Sequence, residues 1–468
     1  MNAKVSNLFS VNKMLKANQI IGDVPVSKEV YKTFFNVAWP SALEALLVGL
    51  VGSVDTMMVG GLGKGAIAAV GITNQPKFIL LAAIFSLNVG ITAVVARRKG
   101  EGDQEGANKA LRAGILLTSL ISLIMAIVGF IYASSILKFV GAEDSYLKDA
   151  ISYFRVLMVS IVFTALNLTI NAAQRGCGNT KIAMRTNIVS NIVNVIFNYL
   201  LINGIWFFPR LEVTGAAIAT CLGTIAACGI SIFTLLKKDS FLNLYFKSSW
   251  TLEKKTLKPI MKVSSSAFIE QVFMRIGFLA YAIIVARLGE TAYTTHLICM
   301  NILNLSFSFG DGFAIAASSL VGQNLGANRP DMSIIYGKTG QRISFLVSTL
   351  LFLFFISGRE ILVSLFTKET DIIALGSGIL IIIAFTTHAQ TAQVIISGCL
   401  RGAGDTIFVA ITSMLSVAVI RPLLTWLLCF PLGLGLYGAW YSLLIDQFLR
   451  LTLNYIRFSS GKWTKIAL

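Results

Sequence analysis

The sequence predicts an all-α polytopic membrane protein, with twelve transmembrane helices arranged as two pseudo-symmetric six-helix bundles. Three observations carry that reading. Hydrophobic residues make up 55% of the 468 residues and charged residues 13%, with a mean hydropathy of +0.76. A soluble chain of this length needs far more charge to cover its surface. Apolar stretches long enough to cross ~30 Å of hydrocarbon recur along almost the whole chain. A single ungapped internal repeat relates one half to the other.

At ~20 residues or more per span, the first six helices are expected near 34–61, 66–97, 110–137, 147–174, 183–204 and 213–236. The second six are expected near 259–287, 292–323, 340–366, 372–400, 407–430 and 436–456. Residues 1–33 mix Lys, Asn, Ser and Val without a continuous apolar core. They read as a cytoplasmic N-terminal segment and not as a cleavable signal peptide. The expected divisions are therefore an N-lobe over 34–236, a polar Lys-rich cytoplasmic linker over 237–258, and a C-lobe with a short cytoplasmic tail over 259–468.

The net charge of +17 raises the question of a nucleic-acid partner. Its distribution excludes one. With a cytoplasmic N-terminus, only Lys64, Lys138, Lys148, Arg210, Arg287, Arg359 and Lys368 fall in outer loops, and most other Lys and Arg lie on the inner side. This is the positive-inside bias. It predicts a multi-pass protein of the cell membrane with both termini cytoplasmic, and membrane lipids as the partners of the basic surface. The six cysteines show no CxxC pair and no His/Cys cluster, which argues against zinc and against a disulfide framework.

The repeat is specific. A shift of 226 residues (270 − 44) superimposes Glu44 on Glu270, Leu62-Gly63 on Leu288-Gly289, Arg175-Gly176 on Arg401-Gly402, Gly178 on Gly404 and Thr180 on Thr406. Six helices per copy is an even number, so both copies enter the membrane from the same side. Such a parallel repeat is a common frame for alternating access in transporters.

Ionisable groups within lipid-spanning segments are costly and mark function. Asp55 is the leading candidate. Glu44 lies eleven residues earlier, close to three turns, which puts both carboxylates on one face of helix 1. Helix 5 carries Asn187, Asn191, Asn194 and Asn198 at spacings of 4, 3 and 4, and helix 4 carries Asn167 and Asn171 with Gln174 one turn on. Amides supply carbonyl oxygens for a cation and donors for a carboxylate. Under the repeat, Asn187, Asn191, Asn194 and Asn198 become Ser413, Val417, Ile420 and Leu424, and Asp55 becomes Tyr281. The coupling-cation site is thus expected in the first half, at Asp55, Asn194, Asn198, Asn191 and Asn171, with a Na⁺ held, if at all, at Asp55 and Asn194. Glu270, Gln390 and Asp311 in the second half, with Glu44, are secondary candidates, and Arg275 is a candidate counter-charge for Glu270 or Asp311. Interhelical glue is the competing explanation for the Asn residues. No nucleophile elbow, phosphate loop or other enzyme signature is present, so no catalytic residue and no cofactor is expected.

The segments SVDTMMVGGLGKGAIAAVG (53–71), SSLVGQNLGANRP (318–330) and GCLRGAGDT (398–406) resemble signatures of the MATE (multidrug and toxic compound extrusion) family. The likeness covers about residues 34 to 458. It implies two six-helix lobes, a monomer, and export of amphipathic, often cationic compounds in exchange for Na⁺ or H⁺. Asp55 matches the family's helix 1 coupling carboxylate and Asn194 a helix 5 Asn of the N-lobe cation site. Asn198 stands where many prokaryotic members carry a second Asp. Glu270 matches the helix 7 Glu of the NorM-like branch, while Gln390 replaces that branch's helix 10 Asp. These departures leave Na⁺ and H⁺ both open. A lipid-linked saccharide flippase of the same superfamily is the alternative, but it calls for several cavity Arg, whereas helices 1 and 2 carry Glu44, Asp55 and only Lys77.

Overall fold

A computed structural model describes residues 10–15, 19–206, 208–237, 240–244 and 250–466, with side chains described at all of these except 12, 48–57 and 64. Twelve long helices run along the described chain. In the first half they are α1 (Ser27–Gly60), α2 (Lys64–Gly100), α3 (Gln104–Ile131), α4 (Asp144–Gly176), α5 (Thr180–Asn203) and α6 (Glu212–Leu235). The second half holds α7 (Lys254–Ala286), α8 (Glu290–Gly326), α9 (Pro330–Ser357), α10 (Thr370–Gly402), α11 (Thr406–Cys429) and α12 (Gly435–Ser459). Among the described residues, nine helices meet both a length and an apolarity requirement for crossing a membrane. Helix is the form such segments must take, because hydrocarbon offers no partner for an open backbone group.

Helices 3 and 9 end earlier than their apolar stretches suggest. The third breaks at Tyr132 and resumes as a short helix, Ala133–Phe139. The ninth breaks at Gly358 and resumes as Arg359–Ser364. Position 132 shifted by 226 is 358, so the two breaks are equivalent. Hydropathy sees a continuous run in both places, since the short helices are themselves partly apolar.

α11 departs from its counterpart α5 in a different way. Residues Met414–Ile420 form a π turn that leads into Arg421–Cys429. Pro422 accounts for it: its ring lacks an N–H and crowds the carbonyl four residues back, at Ala418, and widening the turn relieves that clash.

Two compact units emerge, one of Leu43–Ser264 and the other of Met1–Ala42 with Ser265–Leu468. The boundaries fall inside α1 and α7, each of which runs from one unit into the other, whereas the sequence repeat divides at the polar segment 237–258. Within the second unit the start of α1 is core: Val30, Phe34 and Ala38 are buried with Phe313 and Ala317 of α8, and Phe34 stacks on Phe313 at 6.4 Å. Within the first unit the start of α7 plays the equivalent part. Ile260 is buried with Leu87 and Ile91 of α2, and the Ser264 hydroxyl donates to Leu87 O at 3.4 Å. Phe34 and Phe313 shift onto Ile260 and Leu87, so the exchange of helix starts is itself part of the repeat.

The glycines of the repeated Arg-Gly pairs have a packing reason. A Cβ on Gly176 would meet Thr92 O of α2 at 2.8 Å, and one on Gly402 would run into Ser318 O of α8. Thr92 and Ser318 are themselves related by the shift. Gly therefore lets α4 and α10 close onto α2 and α8. Gly178 and Gly404, at φ +81° and +87°, then make the turn into the next helix in a conformation that other residues avoid.

Candidate functional site

Each half builds the same ion-paired triad. In the first, Arg175 Nη1 donates to Glu44 Oε1 at 3.2 Å and Asn187 Nδ2 donates to the same oxygen at 2.9 Å. In the second, Arg401 Nη2 donates to Glu270 Oε1 at 2.6 Å and the Ser413 hydroxyl donates to it at 3.0 Å. All three members correspond at the 226-residue shift. The repeated Glu and the repeated Arg, which the sequence marks separately, are thus one device. The Arg that reaches Glu270 comes from the end of α10, not from Arg275 on its own helix. Glu44 keeps one buried oxygen, Oε2, without a donor among the described residues.

Beyond the triad the halves diverge. The first holds a neutral network. Asn171 Nδ2 donates to Asn167 Oδ1 at 3.2 Å and to Thr186 Oγ1 at 3.1 Å, and Ser231 donates to Asn167 Oδ1 at 2.6 Å. A second cluster forms two turns along α5, where Asn194 Nδ2 donates to Thr220 Oγ1 of α6 at 3.1 Å and Asn198 Nδ2 donates to Asn194 Oδ1 at 3.2 Å. Asn171, Asn194 and Asn198 are buried. Asn191, between them in sequence, has a buried Nδ2 with no hydrogen-bond partner among the described residues. The helix 5 amides therefore split between partners: Asn187 serves Glu44, Asn194 reaches Thr220 of α6, and Asn198 donates to Asn194. The backbone of Asp55 belongs to α1, and its side chain lies outside the described residues.

The second half is charged where the first is neutral. Asp446 of α12 is bonded by Arg421, by Arg450 at 3.1 Å and by Ser416. All four are buried. The π turn places both Ser416 and Arg421 toward this carboxylate. Thr220 maps onto Asp446, so a hydroxyl at the amide cluster becomes an Arg-paired carboxylate. Tyr281, the counterpart of Asp55, donates its hydroxyl to Ala439 O at 3.1 Å and lies under the Arg421 guanidinium at 5.9 Å. Reading the sequence missed Asp446 and Arg450. Their signal was an acid and a base four residues apart inside an apolar span, a spacing that puts both on one helix face.

Gln390 is buried, and its Oε1 accepts from Ser306 at 3.4 Å. Asp311 is exposed on α8 and has no hydrogen bond or salt bridge among the described residues, although the charge of Arg401 acts on it. His296 packs among the rings of Tyr281, Tyr293 and Trp440, and His388 among those of Phe345 and Phe352. Among the described residues no three His, Cys, Asp or Glu side chains gather as a metal site.

The MatE family model matches residues 40–200 and again 266–427, one match to each half. The chain belongs to the MatE family. It is thus a multi-pass membrane transporter of the MATE multidrug-efflux family. The relatives it resembles include an uncharacterized transporter, YisQ, of Bacillus subtilis strain 168, 28% identical and covering 94% of this chain and 96% of that one. A probable multidrug resistance protein NorM of Thermotoga maritima is 27% identical, covering 94% of each. In fold, this MatE chain is similar to an outward-facing MATE transporter of the MOP superfamily, with a TM-score of 0.86 at 21% identity over 92% of this chain and 97% of that one. A MOP-superfamily transporter from Pyrococcus furiosus, described as having a binding pocket of reversed polarity, reaches 0.85 at 21% identity over the same shares.

Proposed function

We propose that this protein exports amphipathic cations across the cell membrane in exchange for inward Na⁺ or H⁺, with both termini cytoplasmic and with Asp55 as the coupling residue. The observation that carries the reading is the distribution of compensating charge. Glu44, Glu270 and Asp446 each bond to an Arg, so none of them needs a transported cation to balance its charge. Among the described residues, the amides in the clusters of the first half bond to one another and to the hydroxyls of Thr220 and Ser231. Asp55 shares α1 with Glu44 on the same half as those clusters. A carboxylate on the half that carries neutral amides is the combination that favours reversible loading: carboxylate and amide oxygens can ligate Na⁺, and a proton can replace it. The same distribution disfavours the flippase reading, because Arg175, Arg401, Arg421 and Arg450 are engaged by carboxylates and are poor candidates to neutralise a pyrophosphate.

The test is transport of ethidium into proteoliposomes with Na⁺ and pH gradients imposed separately. One of the gradients is expected to drive accumulation, and Asp55→Asn to abolish it while Glu270→Gln retains part of it. Accumulation driven equally well in Asp55→Asn would remove Asp55 from the coupling role.

A further inference from the structure

We infer that the exposed face of α8, centred on Asp311 with Asn301, Asn304 and Ser308, is the surface that binds the cationic group of the cargo. The inference rests on the exchange reading above and adds to it the residue that sets charge selectivity.

α8 packs through one face. Ile302, Leu303, Ser306, Gly310, Phe313 and Ala317 are buried, and Ser306 bonds across to α10 at Gln390. Asn301, Asn304, Ser308 and Asp311 recur at spacings of 3, 4 and 3, which places them on one stripe of the opposite face. Asn301, Asn304 and Asp311 are exposed and Ser308 is half-exposed. α8 spans 37 residues, about 55 Å at 1.5 Å per residue, so its middle stretch, which contains the stripe, is the part expected within ~30 Å of hydrocarbon. A carboxylate there facing lipid is strongly disfavoured. The face therefore borders water.

The chemistry of the stripe selects a cation. Asn301 donates its Nδ2–H back to Leu297 O at 3.1 Å, and Ser308 donates its O–H to Asn304 O at 3.1 Å. The Ser308 O–H and one of the two N–H donors of Asn301 are consumed within the helix. The stripe therefore presents amide and hydroxyl groups that can turn oxygen outward, and its one charged member is the Asp311 carboxylate, which has no salt bridge among the described residues. A surface whose one charge is negative repels anions and gives a neutral ligand little, while a desolvated organic cation gains from the carboxylate and from each oxygen turned toward it. The equivalents in α2 are Gln75, Phe78, Ala82 and Phe85, so the first half lacks the carboxylate and most of the acceptors. An open face also suits a bulky cargo better than a coupling ion, whose ligands must close around it.

The measurement is equilibrium dialysis of the full chain in detergent against two probes of similar shape, the cation tetraphenylphosphonium and neutral triphenylphosphine oxide. Asp311→Asn is expected to weaken tetraphenylphosphonium about tenfold, the scale of one carboxylate–cation contact near a protein surface, and to leave triphenylphosphine oxide within about twofold. Asp311→Glu should retain most of the cation affinity. Equal cation affinity in wild type and Asp311→Asn, or an equal loss for both probes, overturns the inference and leaves the exchange reading standing. If the wild-type chain binds no tetraphenylphosphonium, both fall together.

Discussion

The polar cluster around Asn194 and the polar cluster around Asp446 occupy related positions in the two halves, yet they solve opposite problems. Thr220 and Asp446 correspond at the repeat shift. At Thr220 the hydroxyl accepts from Asn194 at 3.1 Å, and Asn194 in turn accepts from Asn198 at 3.2 Å. Around Asp446 two guanidiniums and a hydroxyl converge on one buried carboxylate. Below both lies the same Glu–Arg triad. What the halves share belongs to the fold, and what they do not share has been free to specialise. The first cluster holds neutral amides and hydroxyls, while the second has closed Asp446 upon Arg421 and Arg450.

That contrast predicts unequal consequences. The largest belongs to Asp446. Asp446→Asn leaves Arg421 and Arg450 buried against a neutral amide, and breaking a buried pair in this way costs about 3–5 kcal/mol. Thermal unfolding in detergent should show a large drop, while Thr220→Val at the related position should not. A small effect of Asp446→Asn would mean that the second cluster is not closed and that the contrast is false.

The triads should differ next. Glu270 is less exposed than Glu44, at 3% against 11% of its side chain. Arg401→Gln should therefore cost more than Arg175→Gln, about 2–3 kcal/mol for a hydrogen bond to a buried charge. A double-mutant cycle of Arg401 with Glu270 should return a larger coupling than one of Arg175 with Glu44. The reverse order would mean that burial of the carboxylate does not set the strength of the two pairs.

Smaller again is the close helix approach. Gly402→Ala forces a methyl into Ser318 O and should destabilise by about 1–3 kcal/mol, with Gly176→Ala at the lower end of that range because its clash is milder. The smallest stability effect belongs to the amides. Thr220→Val should cost about 0.6 kcal/mol, the usual worth of one interhelical hydrogen bond in a membrane protein, yet should impair ion-driven ethidium uptake. Unimpaired uptake would make the amide cluster simple glue.

Much of the architecture was legible in the residues. Hydropathy located the twelve helices because each must by itself hide its backbone from hydrocarbon, a local requirement that leaves a local mark. It overran at Tyr132 and Gly358, where an apolar run continues past a backbone break. The repeat was legible because Glu44, Arg175 and Gly176 recur as residue types at one offset. That Glu44 pairs with Arg175 was not, since the two lie 131 residues apart and only the folding of α1 beside the end of α4 brings them together.

The sequence by itself determined the class of the protein, the number of its helices, the pairing of its halves and most of the polar residues placed in the membrane, though not Asp446 and Arg450. Those are properties of segments and spacings. Only the tertiary structure decided which polar residues are already satisfied. Glu44 and Glu270 look like equal secondary candidates on paper, and both proved to be Arg-bound, whereas Asp311 proved to have no hydrogen bond or salt bridge among the described residues, only the more distant charge of Arg401. A charge becomes available or unavailable through its neighbours in space, and in a chain of long helices those neighbours lie many tens of residues away.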